Sequence, residues 1–256
     1  MSVQTRVFVA GAGGAIGRRL CPLLVEAGWA VTGTTRSRHK AAALQAMGVE
    51  PVIVDVFDAN LLKEIVCKAQ PDVVMHQLTD LPPALDPDRM EQARVRNARV
   101  RQDGTRNLVA AAVAANARRM VAQSIAFAYA PGKMPHCEDA PLDLDDSGMG
   151  LTARAVASLE EQVLNAPMEG IILRYGRLYG PGTGFDSPRP GGPLHVDAAA
   201  YAALLAATGG EGGVYNVAED DGTVSVERAV KELGWRAGFR ATLKSEPPLG
   251  EDVGPQ

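Results

Sequence analysis

Short apolar runs rich in β-branched residues alternate along the chain with stretches whose apolar positions recur every three to four residues. RVFVAG (Arg6 to Gly11), AVTGTTR (Ala30 to Arg36), PVIVD (Pro51 to Asp55) and DVVMHQL (Asp72 to Leu78) read as the first four strands. A helix from about Ile16 to Ala27 follows the first strand, and an alanine-rich helix follows the second. The helix after the third strand is begun by Asp58 or Asn60, both suitable caps. Pro82 and Pro83 interrupt the chain before one long helical stretch, Asp88 to Ala117. RMVAQSIAFA (Arg119 to Ala128) is the fifth strand, and a Pro, Gly and Asp-rich loop fills Pro131 to Gly150. A helix from Ala153 to Leu164 then leads to the sixth strand, EGIILRY (Glu169 to Tyr175). The turn-rich PGTGFDSPRPGGP, an alanine-rich helix near Asp197 to Ala207 and a seventh strand, GVYNVAE, complete the pattern. Strands and helices in alternation predict a doubly wound parallel α/β sheet of about seven strands with right-handed crossovers.

The pattern contains no internal repeat and no linker, so residues 1–244 read as one domain and the polar, Pro/Gly-rich 245–256 as a disordered tail. A chain of 256 residues with 46% hydrophobic content can bury a core of that size. The net charge of -4 gives no global attraction to nucleic acid or to an anionic membrane, so any phosphate site is local. No apolar run reaches the roughly 18 residues of a membrane span, and the N-terminus has no signal-peptide pattern. Cys21, Cys67 and Cys137 are widely spaced and odd in number, which fits neither a disulfide framework nor a zinc site and points to a reduced, cytoplasmic protein.

The glycine-rich turn is the most informative local feature. Gly11, Gly13, Gly14 and Gly17, with Ala15 and Ile16, stand between an apolar strand and a helix start, as in a Rossmann-type dinucleotide fold. Glycine permits the tight turn and a close approach of the pyrophosphate, which the unpaired N–H groups of the helix N-terminus attract. At Gly14 the expectation is a backbone angle that only glycine tolerates cheaply. The second strand ends Thr34-Thr35-Arg36-Ser37-Arg38, without the carboxylate that takes the ribose hydroxyls of NAD(H). Arg36 and Ser37, with Arg38 or Lys40, offer a clamp for a 2′-phosphate, so NADP(H) is preferred and NAD(H) is the alternative. Asp55 closes the third strand, either to accept from an adenine amino group or to cap the next helix.

Several further segments extend the picture: DGTRNLVAAA (Asp103 to Ala112), QSIAFAY (Gln123 to Tyr129), LRYGRLYGPGTG (Leu173 to Gly184), HVDAAA (His195 to Ala200) and VYNVAE. Together with AGAGGAIG, these resemble the GTxNLL, SSxxVYG, LRxxNVYGPG, HVDDVA, yNvg and TGxxGxxG segments of the extended short-chain dehydrogenase/reductase family of NAD(P)-dependent epimerases, dehydratases and reductases. The likeness runs from Val7 to about Trp235, with Ala10 in place of Thr. It implies cofactor contacts from Val56, Gln77, Leu78, Arg101 and Tyr175, and small substrate-binding elements near 176–196 and 220–244. Only Gly182 to Leu194 separates YGPG from HVD, so the substrate lobe is reduced.

The chain departs from the family where the chemistry should be. Anchored on Glu160, the family's Tyr-x-x-x-Lys dyad falls on Thr152 and Val156, neither of which can carry its proton transfer. Ile125 falls at the catalytic serine, with Ser124 one residue earlier, and Arg101 falls where NxxGT has Asn. Ser124, Tyr129 and Thr152 are the hydroxyl candidates for catalysis. His76 reads as a packed, hydrogen-bonded histidine before an acid or base, His195 as a turn anchor, and Tyr175 and Tyr179 as pocket or core. The arginines of the 88–117 stretch interleave with Asp86, Asp88, Glu91 and Asp103, a solvated or subunit-facing pattern compatible with a homodimer. No metal motif or nucleophile elbow is present in the sequence. Two functions stay open: an NADP(H)-dependent oxidoreductase or epimerase/dehydratase-like enzyme on a small-molecule substrate with non-standard catalytic residues, and a non-catalytic NADP(H)-sensing regulatory protein.

Overall fold

The computed structural model describes residues 4–82, 85–145 and 148–242. Pro83 and the tail read as disordered, 245–256, lie outside the described residues. The first half runs β1 (Arg6–Ala10), α1 (Ala15–Glu26), β2 (Ala30–Thr35), α2 (Arg38–Ala46), β3 (Glu50–Ile53), α3 (Ala59–Ala69) and β4 (Val73–His76). The second half runs α4 (Met90–Arg99), α5 (Thr105–Ala114), β5 (Arg119–Ile125), α6 (Gly150–Leu164), β6 (Glu169–Tyr175), β7 (Arg177–Tyr179), β8 (Pro193–His195), α7 (Val196–Thr208), β9 (Gly213–Val217) and α8 (Glu227–Leu233).

Seven strands form one sheet in the order β3-β2-β1-β4-β5-β6-β9, while β7 and β8 pair separately. Every pairing in the large sheet is parallel. Such a sheet is covered on both faces, which is why its strands are nearly continuous apolar runs. Successive residues serve opposite cores: Val7, Val9, Met75, Val121 and Ile171 pack with α1 and α7, and Phe8, Ala10, Val74, Met120 and Ile172 pack with α3 and α5. The alanines of α7, nine of whose residues are buried, let that helix lie close against α1. Arg119 closes the far end of α7, donating to the carbonyls of Ala206 at 2.8 Å and Gly209 at 2.7 Å.

The order reverses between β1 and β4: the chain builds outward through β2 and β3, then returns to the other side of β1. A crevice opens there at the carboxyl ends of the strands, where such folds bind ligands.

The strands are shorter than the apolar pattern predicts. β4 stops at His76 and β5 at Ile125, although Gln77, Ala126 and Ala128 beyond them are buried. Burial under neighbouring loops, not sheet pairing, keeps those positions apolar or enclosed. The single helix predicted over Asp88 to Ala117 is one helical path in three parts. A 3-10 turn at Pro87–Arg89 precedes α4, and a π-helical turn at Val100–Gly104 joins α4 to α5. At this π turn a side chain on Gly104 would sit 3.1 Å from Val56, so helix and strand end approach closely. After β6 the chain forms the β7–β8 pair, α7, β9 and α8.

Two glycines of the first turn are fixed by packing. Gly11 has φ +90° and a Cβ there would lie 2.5 Å from the Gln77 carbonyl, while a Cβ on Gly17 would lie 2.3 Å from the Gly11 carbonyl. Gly14 corrects the sequence reading: at φ -80° and ψ 176° its backbone is extended and open to any residue. Gly17→Ala is therefore expected to lower stability by about 1–3 kcal/mol, the range of overpacking in a rigid site. Gly14→Ala, whose Cβ would meet only the Gly11 carbonyl at 3.2 Å, should cost clearly less than Gly17→Ala in urea unfolding. Equal losses for the two variants would refute this assignment.

Candidate functional site

At the β1 edge of the crevice the α1 N-terminus is bare. Its N-cap is Gly14, no side chain caps it, and no acidic residue stands in its first turn. The N–H groups of Ala15 and Ile16 thus face outward with the positive end of the helix dipole. A Cβ on Gly13 would meet nothing nearer than Lys40 at 3.5 Å, and one on Gly14 only the Gly11 carbonyl at 3.2 Å. Gly13 has ordinary room for a side chain and Gly14 is held close to one carbonyl, whereas a Cβ on Gly11 or Gly17 would overlap protein backbone. The cradle fits an anionic diphosphate on its backbone amides.

Beside it, Ser37 caps α2 by accepting from the Lys40 N–H, and Arg36 projects outward with 59% of its side chain exposed. Arg36 meets the Asp80 carboxylate at 3.3 Å, and Asp80 is shared with Arg96 at 3.4 Å. Asp80 lies 44 residues from Arg36, on the loop after β4, so no local pattern announced it. Asp55 is exposed and accepts from the Phe57 N–H at 2.9 Å. The capping alternative for Asp55 fails, because Asp58 caps α3 through the Leu61 N–H. Val56 is buried, and its carbonyl accepts from Asn107 at 2.9 Å.

On the β4 side, His76 is fully buried. Its Nδ1 accepts from the Leu78 N–H at 3.3 Å, so Nε2 carries the proton and donates to Thr105 Oγ1 at 2.9 Å. Burial, with the Arg101 charge adding to it, pushes His76 down to about 4. Gln77 turns to the opposite face and is 4% exposed. Its amide lies beside the Tyr175 hydroxyl, but neither its nitrogen nor its oxygen has a hydrogen-bond partner. Two orphaned polar atoms at the crevice end of β4 fit a site that a polar ligand completes. Tyr175 is core, its hydroxyl donating to the Ala199 carbonyl at 3.1 Å, and burial raises its pKa.

Arg101 stands on the π turn, four residues before the Thr105 that holds His76, and is 8% exposed. No hydrogen bond or ion pair within the described residues reaches its guanidinium. Burial brings it down to about 10, with Glu160 opposing, so it stays charged at neutral pH. The π turn carries this cation over the carboxyl end of β4; π bulges recur at functional sites because they re-aim one side chain without breaking a helix.

The two positions that the family resemblance aligns with the dyad differ in their surroundings. Val156 is fully buried among Ile125, Ala128 and Ala153, with Phe127, Leu142 and Met149 packed around them. Thr152 is half-buried on α6. Ser124 and Tyr129 belong to a different arrangement, built on two buried charges. Glu160 and Arg174 form a two-pronged pair at 2.9 and 2.7 Å. Ser124 donates to Glu160 at 2.6 Å, while Tyr129 donates to Asn216 at 2.6 Å and accepts from Arg174 at 2.8 Å. Burial works against the Arg174 charge, but the bonds from Glu160 outweigh it and its pKa is raised. Both hydroxyls are thus engaged in holding strands together. His195 anchors a turn, its Nδ1 accepting from the Asp197 N–H to cap α7. Tyr179 donates to Glu219 at 2.7 Å. A surface cleft lined by Leu23, Tyr201, Leu204 and Phe239 lies on the outer side of α1 and α7, away from these strand ends.

His76 gives a pH test. Its folded pKa, about 4, lies below the ordinary 6.5, so the unfolded chain binds the extra proton between those values. Stability from this group is complete above about pH 6.5 and declines as pH falls toward 4. His76→Asn should flatten the pH 4–6.5 limb of a urea-midpoint profile. An imidazole that titrates near 6.5 by NMR would contradict the buried neutral assignment.

The family model for the NAD dependent epimerase/dehydratase family matches residues 7–206. Among characterised proteins the chain is similar to 3-diazoavenalumate denitrifying reductase of a Streptomyces species, at 39% identity over 95% of this chain and 83% of that one. It is also similar to 4-hydroxy-2-methyl-3-oxo-4-farnesyl-3,4-dihydroquinoline-1-oxide ketoreductase of Stigmatella aurantiaca, at 34% identity over 50% of this chain and 36% of that one. Among solved structures, UDP-glucose 4-epimerase of Thermotoga maritima superposes with a TM-score of 0.74 at 16% identity, covering 92% of this chain and 94% of that one. That last likeness carries the fold; the family model's match spans six of the sheet's seven strands and the glycine turn. The chain belongs to the NAD dependent epimerase/dehydratase family.

Proposed function

We propose that this protein is an NADP(H)-dependent reductase of a small molecule whose reduction needs no proton from a Tyr-Lys dyad. One observation carries the reading: the bare helix N-terminus and its glycine turn are intact, while the position of the dyad lysine is Val156 inside an apolar cluster. Reduction of a ketone leaves an alkoxide that must be protonated, and among the described residues Ser124 and Tyr129 spend their hydroxyls on Glu160 and Asn216. The Streptomyces relative is named for a diazo substrate, loss of nitrogen and reduction. A reduced nicotinamide held at the crevice by Ala15 and Ile16 would supply a hydride, and an aryl diazo compound in its diazonium form would take it up at carbon with loss of dinitrogen, leaving no alkoxide to protonate. That chemistry supports a diazo compound as the substrate class for this chain also.

The chain's own residues have defined tasks in this reading. Ala15 and Ile16 hold the diphosphate through their N–H groups, with Gly11, Gly13, Gly14 and Gly17 shaping the approach. Val56, Leu78 and Asp55 border the adenosine, and Gln77 supplies the orphaned amide. Arg101 donates to cofactor oxygens from a site where the family carries Asn, beside the vacated lysine position. Ser124 and Tyr129 act as positioning residues around Glu160 and Arg174, Tyr175 as a wall, and Thr152 takes no proton. The competing reading, a cofactor sensor, draws support from the closed packing of Val156 and predicts cofactor binding with no turnover.

The 2′-phosphate reading rests on Arg36. The Arg36 side chain is 59% exposed in its pair with Asp80, which stabilises by at most about 1 kcal/mol. A charge-assisted phosphate clamp contributes about 1.5–3 kcal/mol and prevails. NADPH should therefore bind roughly ten- to a hundredfold tighter than NADH in fluorescence titration. Arg36→Ala should remove most of that gap, and Asp80→Asn should strengthen NADPH binding by less than about fivefold. Equal affinities in the parent protein reject NADP(H) preference.

Turnover is tested by following NADPH absorbance with a panel of aryl diazo compounds, ketones and sugar nucleotides. Diazo compounds should be consumed with release of nitrogen gas. Thr152→Ala should change kcat less than about threefold, since loss of a working proton donor costs about 10²–10⁴-fold. Arg101→Met should lower kcat/KM by at least about tenfold. Brisk ketone reduction abolished by Thr152→Ala would overturn the proposal, and tight NADPH binding without turnover on any substrate would favour the sensor.

A further inference from the structure

Beyond the cofactor crevice, two arginines meet without an acid between them. Ile125 of β5 and Tyr175 of β6 are register partners, so Phe127 and Arg177, each two residues further on, emerge side by side at the carboxyl edge. The Arg177 guanidinium lies over the Phe127 ring at 4.5 Å. Arg189 lies over Phe185 at 3.4 Å. The turn at 189–192 brings the second arginine to the first. Arg177 N donates to the Gly192 carbonyl at 2.7 Å, and a Cβ on Gly191 would sit 3.1 Å from Arg177 Nε.

Neither guanidinium has an ion pair or hydrogen bond among the described residues, and Arg189 Nε is fully enclosed with no partner. The acid of this turn is committed elsewhere. Asp221 accepts from the N–H groups of Gly191 at 3.0 Å, Gly192 at 2.8 Å and Thr223 at 3.0 Å. Burial, and then the Arg189 charge, push the Arg177 pKa down, so the two cations repel each other across the turn. Protein interiors and clefts rarely hold two like charges together unless a ligand of opposite charge completes the arrangement. The neighbouring surface is apolar, since Phe127 packs on Ile125, Ala128, Ala153 and Val156.

We propose that Arg177 and Arg189 form a clamp for the carboxylate of an apolar, aromatic organic acid whose hydrocarbon body lies toward Phe127. A carboxylate presents two oxygens to the planar forks of two guanidiniums, and the short 182–194 segment leaves the lobe sized for a small acid. The inference deepens the reductase reading and rests on it for calling that acid the substrate; the anion site itself stands on the two arginines.

The test uses the full chain, with and without NADP+, and two probes of equal shape, cinnamate and the neutral cinnamamide, in calorimetric titration. Cinnamate should bind at least about tenfold tighter than cinnamamide. Arg177→Gln and Arg189→Gln should each weaken cinnamate about tenfold, while the exposed control Arg118→Gln changes nothing. Thermal melts and NADPH titrations verify that each variant is folded and keeps its cofactor affinity. No detectable cinnamate binding, equal binding of the two probes, or unchanged cinnamate affinity in the double variant overturns the clamp. Displacement of cinnamate by inorganic phosphate at lower concentration overturns the carboxylate assignment in favour of a phosphate site. Cinnamate binding through both arginines in a protein that fails to bind NADPH would sink the reductase reading and leave the clamp standing.

Discussion

Glu160 and Arg174 are both buried, and each is tolerable only because of the other. A buried carboxylate or guanidinium left alone costs about 3–5 kcal/mol, a large part of the 5–15 kcal/mol by which a domain is stable. The pair ties α6 to β6, and its remaining bonding capacity recruits Ser124 from β5, Tyr129 from the loop beyond it and the Glu138 carbonyl. Through Tyr129 and Asn216 the same network reaches β9. The carboxyl edge of the sheet is thereby rigid where a cofactor and substrate would meet. Hydroxyl groups that looked available for chemistry are occupied in keeping that edge in place.

The charge distribution along this edge differs from that of the molecule. The chain carries a net charge of -4, yet Arg101, Arg177 and Arg189 face the carboxyl ends of the strands without ion-pair partners among the described residues. Low-dielectric walls focus such a field, so a mildly acidic protein can still draw an anionic ligand to one crevice. Arg36 differs in kind: it is mostly exposed and shares Asp80 with Arg96, a pairing too weak to hold it from a phosphate.

The interior around Val156 is consistently apolar. Val156 and Ile125, which the family resemblance aligns with its lysine and serine, pack together in one apolar cluster. Arg101 enters from the neighbouring helix, carried by a π turn. A guanidinium keeps its charge when buried far better than an ammonium does.

Much of this was legible in the sequence. Short continuous apolar runs with helical stretches between them determine a parallel sheet covered on both faces, and the glycine turn locates its ligand crevice, because both depend on neighbours within a few residues. The helix carrying Thr152 and Val156 was readable too, and α6 is one continuous helix over Gly150–Leu164. Tertiary structure alone decided which glycines are sterically required, Gly11 and Gly17 against Gly13 and Gly14, for that depends on the Gln77 carbonyl reaching Gly11 across the sheet. It also decided that Asp80 meets Arg36, that Ser124 and Tyr129 spend their hydroxyls on Glu160 and Asn216, and that Arg177 meets Arg189. Each of those contacts joins residues distant in the chain. A side chain's chemistry is set by what surrounds it in space, which local periodicity does not encode.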